Sequence, residues 1–137
     1  MEKSCGTIPY TVKGKTVYYL LIKSKDTGSC GFPKGHVEKC ESEIETALRE
    51  TLEETSLQVL INQEFRYETT YRMRRGIKKT VVYYLASFKE QTPKRNGSFE
   101  DFEYLMLPFE EAYRSLSFEN TRQMLKEADE FLKESIK

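Results

Sequence analysis

The chain is expected to fold as an α/β protein, a sandwich of helices around a mixed β-sheet, and three observations predict it. Runs rich in β-branched and aromatic residues alternate with runs of helical spacing along its 137 residues. One helical run has a well-marked start, because Ser42 and Glu45 form the pattern of a capping box. No repeat, low-complexity segment or linker divides the chain, so one domain over residues 1–137, large enough for a real core, is expected.

Residues 7–12 and 16–24 read as strands joined by a turn at Lys13-Gly14-Lys15. A helix follows over residues 43–55, with Ile44, Ala47, Leu48 and Leu52 forming an apolar stripe that is expected to pack, opposite an acidic face. Residues 57–63, 65–71 and 80–88 are further strands by their β-branched and aromatic content, the last two joined by a hairpin at Arg74-Arg75-Gly76. A loop over 93–97 precedes a strand at 104–107. Pro108, suited to a first helical turn, then opens a helix through Leu116. The last helix, about 119–134, carries Met124, Leu125, Ala128, Phe131 and Leu132 on one face.

The chemistry concentrates on the first helix. Taking about 100° per residue, Glu50 and Glu54 lie about 40° apart and Glu53 about 60° to the other side. Such like-charge pairs cost a helix about 0.2–0.5 kcal/mol each, which a cation in front of them would offset. Upstream runs Gly31-Phe32-Pro33-Lys34-Gly35-His36-Val37-Glu38, a glycine-containing loop leading into that acidic helix. The combination suggests phosphate and metal held together. Clustered carboxylates suit hard cations, Mg²⁺ or Mn²⁺, whereas the single histidine and the spacing of Cys30, His36 and Cys40 do not suit zinc.

Gly35, Glu41, Arg49-Glu50, Glu53-Glu54 and Leu57 resemble the Nudix box, G-x5-E-x7-R-E-U-x-E-E-x-G-U, at every charged position. The stretches Phe32 through Glu38 and Glu45 through Thr51 look most like the asymmetrical diadenosine tetraphosphate hydrolase branch of that family. The likeness continues weakly through Lys79-Thr80-Val81-Val82-Tyr83 and Glu110-Glu111-Ala112. Cys40 and Ser56 stand where the family usually has glycine, and Thr51 where it has an aliphatic residue. Serine at a left-handed helix end costs up to about 1 kcal/mol relative to glycine.

The resemblance implies an α/β/α sandwich and a pyrophosphohydrolase that cleaves diadenosine tetraphosphate to ATP and AMP by metal-activated water. It implies Glu53 and Glu54 as metal ligands and Glu50 as either a ligand or the group that orients or deprotonates the nucleophile. A Gly35 carbonyl completes the metal shell, and Glu100, in competition with Asp101 and Glu103, supplies a further acid. Glu41 and Arg49 are expected to pair and pin the loop to the helix. Lys34 beside Gly35 suits a phosphate oxygen, as does the basic run Arg72, Arg74, Arg75, Lys78 and Lys79, where the resemblance favours Lys79. With nine tyrosines and no tryptophan, base stacking falls to tyrosine or phenylalanine, and the resemblance points to Tyr71 and Tyr83. His36 matches the family's loop histidine.

Alternatives within the enzyme class are an RNA 5′-pyrophosphohydrolase and a nucleotide-sugar or ADP-ribose pyrophosphatase. Outside it stands a nucleotide-binding module without catalysis. Twenty-two basic and 22 acidic residues balance, so no global field favours nucleic acid or anionic membrane. No apolar run approaches the ~20 residues of a membrane span, and the N-terminus lacks a signal-peptide segment. Three cysteines without a C-x-x-C pattern fit free thiols in a cytoplasmic protein, expected as a monomer or weak dimer acting on a small nucleoside polyphosphate.

Overall fold

The structure is a computed structural model and describes residues 2–94 and 101–136. In chain order the elements are β1 (Glu2–Lys13), β2 (Thr16–Ser24), β3 (Cys30–Gly31), β4 (Lys34–His36), α1 (Glu43–Thr55), β5 (Leu60–Arg72), β6 (Lys78–Ser87), β7 (Phe102–Pro108), α2 (Phe109–Ser115) and α3 (Glu119–Ile136). The strands form one mixed sheet. β3-β2-β1-β6-β5 lie side by side, β4 pairs with β1, and β7 pairs with β2. The β1–β6 pair is parallel, running from Glu2↔Lys79 to Tyr10↔Ser87, and the other pairs are antiparallel.

A central strand covered on both faces should read as a continuous apolar run, and residues 81–86 of β6 are all buried. Their alternation divides the core. Val81, Tyr83 and Leu85 face α2 and α3 together with Ile8, Tyr19 and Leu21, where Met124, Leu125, Ala128 and Leu132 of α3 meet them. Val82 and Tyr84 face the other way, with Cys5 and Ala47 of α1. The α/β/α sandwich with a mixed sheet is therefore the observed fold.

Several local expectations change. β1 begins five residues earlier than its apolar pattern suggested, because Glu2 to Gly6 find partners on β6 and Ser4 to Gly6 on β4 as well. The two strands expected over 57–71 are the single strand β5, whose register shifts between Asn62 and Arg66; there the Glu64 N–H donates to Asn62 Oδ1 at 2.9 Å. Pro108 is the N-cap of α2 rather than its first helical residue. The loop expected at 93–97 lies partly outside the described residues.

The packed face of α1 also differs. Ser42 and Glu45 make the full capping box, and Ser56 caps the C-terminus at φ 63°. The buried residues, however, are Thr46, Ala47, Thr51 and Thr55, while Leu48 and Leu52 remain 38% exposed. Measured from Ala47 at about 100° per residue, Glu54 and Glu50 fall about 20° and 60° to one side, and Leu48 and Leu52 about 100° and 140° to the other. The helix is thus rolled so that two of its carboxylates, and not its leucines, face inward.

Candidate active site

That roll sets Glu50 and Glu54 beneath the turn around β4. Glu54 Oε1 accepts the Lys34 backbone N–H at 3.0 Å, and the Glu54 carbonyl accepts the Tyr104 hydroxyl at 2.6 Å. The Glu50 carboxylate occupies the place that a β-carbon on Gly35 would take. Only glycine allows this approach.

Arg49 organises the acids around it. Its Nε and Nη2 donate to the two oxygens of Glu41 at 2.7 and 2.9 Å, Nη2 also to the His36 carbonyl at 3.0 Å, and Nη1 to Glu50 Oε2 at 2.8 Å. Glu41 in turn accepts from the Glu38 N–H and the Thr46 hydroxyl. These bonds join the loop to α1. Hydrogen bonding from Arg49 holds the Glu41 carboxyl down to about 2. The pKa of Glu50 is raised, because its burial outweighs the neighbouring guanidinium. Glu53 is more open, at 46% side-chain exposure, with Arg49 Nη1 at 3.4 Å. Among the described residues no three His, Cys, Asp or Glu side chains yet converge on one point as a metal-holding group.

Beside the carboxylates opens a pocket of about 350 Å³. Lys34, Tyr71, Lys79 and Tyr83, four of the five residues expected to meet substrate, line it together. Tyr71 and Lys79 do so because they are register partners on β5 and β6, and Lys34 because it pairs with Gly6, the β1 partner of Tyr83. Tyr83 is 1% exposed and meets Phe32 edge-on with centroids 6.3 Å apart, so it forms floor rather than an open stacking face. Burial pushes its hydroxyl pKa up.

His36 stands outside this group. It lies two residues beyond Lys34 on β4, paired with Ser4, and its Nε2 is 3.3 Å from Glu2 Oε1. Of the basic run, Lys79 lines the pocket while Arg72, Arg75 and Lys78 are exposed around the hairpin. Glu100 lies outside the described residues. Its competitors are exposed, Asp101 3.8 Å from Lys25 Nζ and Glu103 on β7.

Phe118 and Met73 at the pocket were not anticipated. Both are large, apolar and about half exposed, and both line the cavity. Phe118 sits between α2 and α3, where Ser117 exchanges two hydrogen bonds with Cys30 of the pocket floor. The signal in the sequence was an aromatic residue at a break between two helical runs, which no periodicity explains.

Comparison with known proteins agrees with this geometry. Residues 3–130 match the family model described as the NUDIX domain. The chain is 35% identical to the asymmetrical bis(5′-nucleosyl)-tetraphosphatase of Rattus norvegicus and 39% identical to that of Sus scrofa, in each case over 95% of both chains. A crystal structure of a C. elegans Ap4A hydrolase binary complex superposes with a TM-score of 0.87 over 96% of this chain and 98% of that one, at 24% identity, a likeness of fold. A sheet of this topology, an inward-facing carboxylate row under a glycine turn and a match over nearly the whole length lead to one conclusion: the chain belongs to the NUDIX family.

Proposed function

We propose that the protein is a cytoplasmic, divalent-metal-dependent hydrolase, a monomer or weak dimer, that splits diadenosine tetraphosphate asymmetrically into ATP and AMP. One observation carries this reading. Lys34 belongs to both halves of the site: its backbone N–H is held by Glu54, and it lines the pocket with Lys79, Tyr71 and Phe118. A polyphosphate in that pocket is thereby led to the carboxylates. The relatives in rat and pig supply the choice of substrate.

The donor set fits a hard divalent ion. Three carboxylates share one sector of α1, and the missing side chain of Gly35 leaves Glu50 room at the turn. Glu50, Glu53 and Glu54 would hold Mg²⁺ or Mn²⁺, joined by a carbonyl of Gly35 and by Glu100. A metal bound there would neutralise phosphate charge and acidify water.

The remaining roles fall to the chain itself. Lys34 and Lys79 draw in and orient the polyphosphate. Tyr71 and the half-exposed Phe118 offer ring surface to a base, a contact worth about 1–3 kcal/mol. Where Glu50 is not itself a ligand, it orients or deprotonates the attacking water, while Arg49, paired with Glu41, fixes its orientation. The water oxygen bonds to phosphorus as the bridging P–O bond breaks.

The test is product analysis with diadenosine tetraphosphate and Mg²⁺ in heavy-oxygen water, with Glu54→Gln alongside. ATP and AMP, with label on one product and turnover lost in the variant, are expected. Intact substrate would overturn the assignment and turn attention to RNA 5′ ends and nucleotide sugars.

A further inference from the structure

Thr7 and Thr51 face each other between β1 and α1 with their Oγ1 atoms 2.7 Å apart, and both residues are 0% exposed. Thr7 also donates its backbone N–H to the Pro33 carbonyl at 3.2 Å. Pro33 directly precedes Lys34, whose N–H is held by Glu54, and Thr51 directly follows Glu50. One residue of β1 therefore grips both the turn and the helix that together make the candidate site.

Three of the four buried residues of α1 are threonines. Thr55 donates to the Thr51 carbonyl at 2.6 Å, and Thr46 donates to Glu41 at 2.8 Å. Between the helix and β1, apolar contact alone would leave the depth and roll of α1 to side-chain volume, which is non-directional. A hydrogen bond has a preferred length and angle. That matters here because a misplacement of about 1 Å can lower a rate about a hundredfold.

We propose that the Thr7–Thr51 hydrogen bond is a positioning device for hydrolysis. It sets how α1 seats on β1 and so the spacing between the Glu50 and Glu54 carboxylates and the turn at residues 33–35. Neither threonine lines the pocket, so both act through the groups they hold. The inference rests on the reading of these glutamates as the reactive acids.

Thr7→Val combined with Thr51→Val removes both hydroxyls together and leaves no buried polar group unpaired, so the unfolding midpoint is expected to stay near that of the unaltered protein. The Lys34 amide, protected by Glu54, should then exchange with solvent at least about tenfold faster, and kcat should fall about tenfold or more with KM little changed. Thr51→Ser alone, which keeps a hydroxyl opposite Thr7, should leave both near their unaltered values. If the double variant does not fold, Thr7→Ala answers the same two questions. Unaltered Lys34 protection together with unaltered kcat in the variant lacking the bond overturns the proposal. Should the unaltered protein fail to cleave diadenosine tetraphosphate, the substrate assignment falls separately, and the Lys34 exchange rates still decide whether the bond positions the turn.

Discussion

Gly35 is held to its identity by what leans on it. A β-carbon there would overlap the carboxyl carbon and both oxygens of Glu50, all tightly placed by Arg49, whereas one on Gly31 would meet nothing within 4 Å. Gly35→Ala should therefore push Glu50 aside and lower kcat about tenfold or more. Gly31→Ala should leave the unfolding midpoint unchanged; equal behaviour of the two variants in paired thermal melts and rate assays would contradict the packing argument. At this scale the sequence was readable where a residue type has one job. The pairing of Glu41 with Arg49 was legible through the resemblance to the Nudix box, and so was the left-handed cap at Ser56. Cys40 shares that backbone region at φ 70°, where the family pattern has glycine. His36 was not legible, since a motif position says nothing about the Glu2 that a neighbouring strand brings beside it.

The orientation of α1 shows why element boundaries were easier to foresee than element faces. Ser42 and Glu45 fix where the helix begins by bonds within four residues, so the expected span of 43–55 matches the observed one. Its roll depends instead on partners 23 to 44 residues away. Thr51 has its hydroxyl answered by Thr7, and Glu43 is bound by Lys3 at 2.6 Å, by two nitrogens of Arg66 at 2.9 Å and by the Tyr84 hydroxyl at 2.7 Å. No counting of leucines predicts that. The Glu43 network has a pH signature. Hydrogen bonding from Arg66 holds the Glu43 carboxyl well below the usual carboxylate range, so the unfolded chain takes up a proton first. Its stabilisation is complete above the unfolded value of about 4.3 and is lost as the pH falls toward the folded value. Glu43→Gln should cost about 2 kcal/mol near neutrality, and the gap to the unaltered protein should narrow in urea titrations carried from about pH 7 to about pH 3. A gap that stays constant across that range would remove Glu43 from the acid limb.

For the molecule as a whole, a cation that binds only the folded chain must also stabilise it. At a free Mn²⁺ concentration about a hundred times Kd the gain is about 2.7 kcal/mol, read as a rise in Tm that a chelator reverses and that Glu54→Gln diminishes. Melting curves indifferent to Mn²⁺ and Mg²⁺ would sink the metal reading. The α/β class was legible because alternation and helical spacing are local properties. Strand order was not, because nothing near Glu2 announces that its partner is Lys79. That parallel pairing has a consequence for how the protein is made. During synthesis the carboxylate helix leaves the ribosome before β6, the strand that backs both it and β1. The centre of the sheet cannot close until residues 79–87 have emerged, and closing it joins strands far apart in the chain. The nascent chain therefore carries its three glutamates on a helix whose partners on β1 and β4 have already emerged while the strand that completes its backing has not.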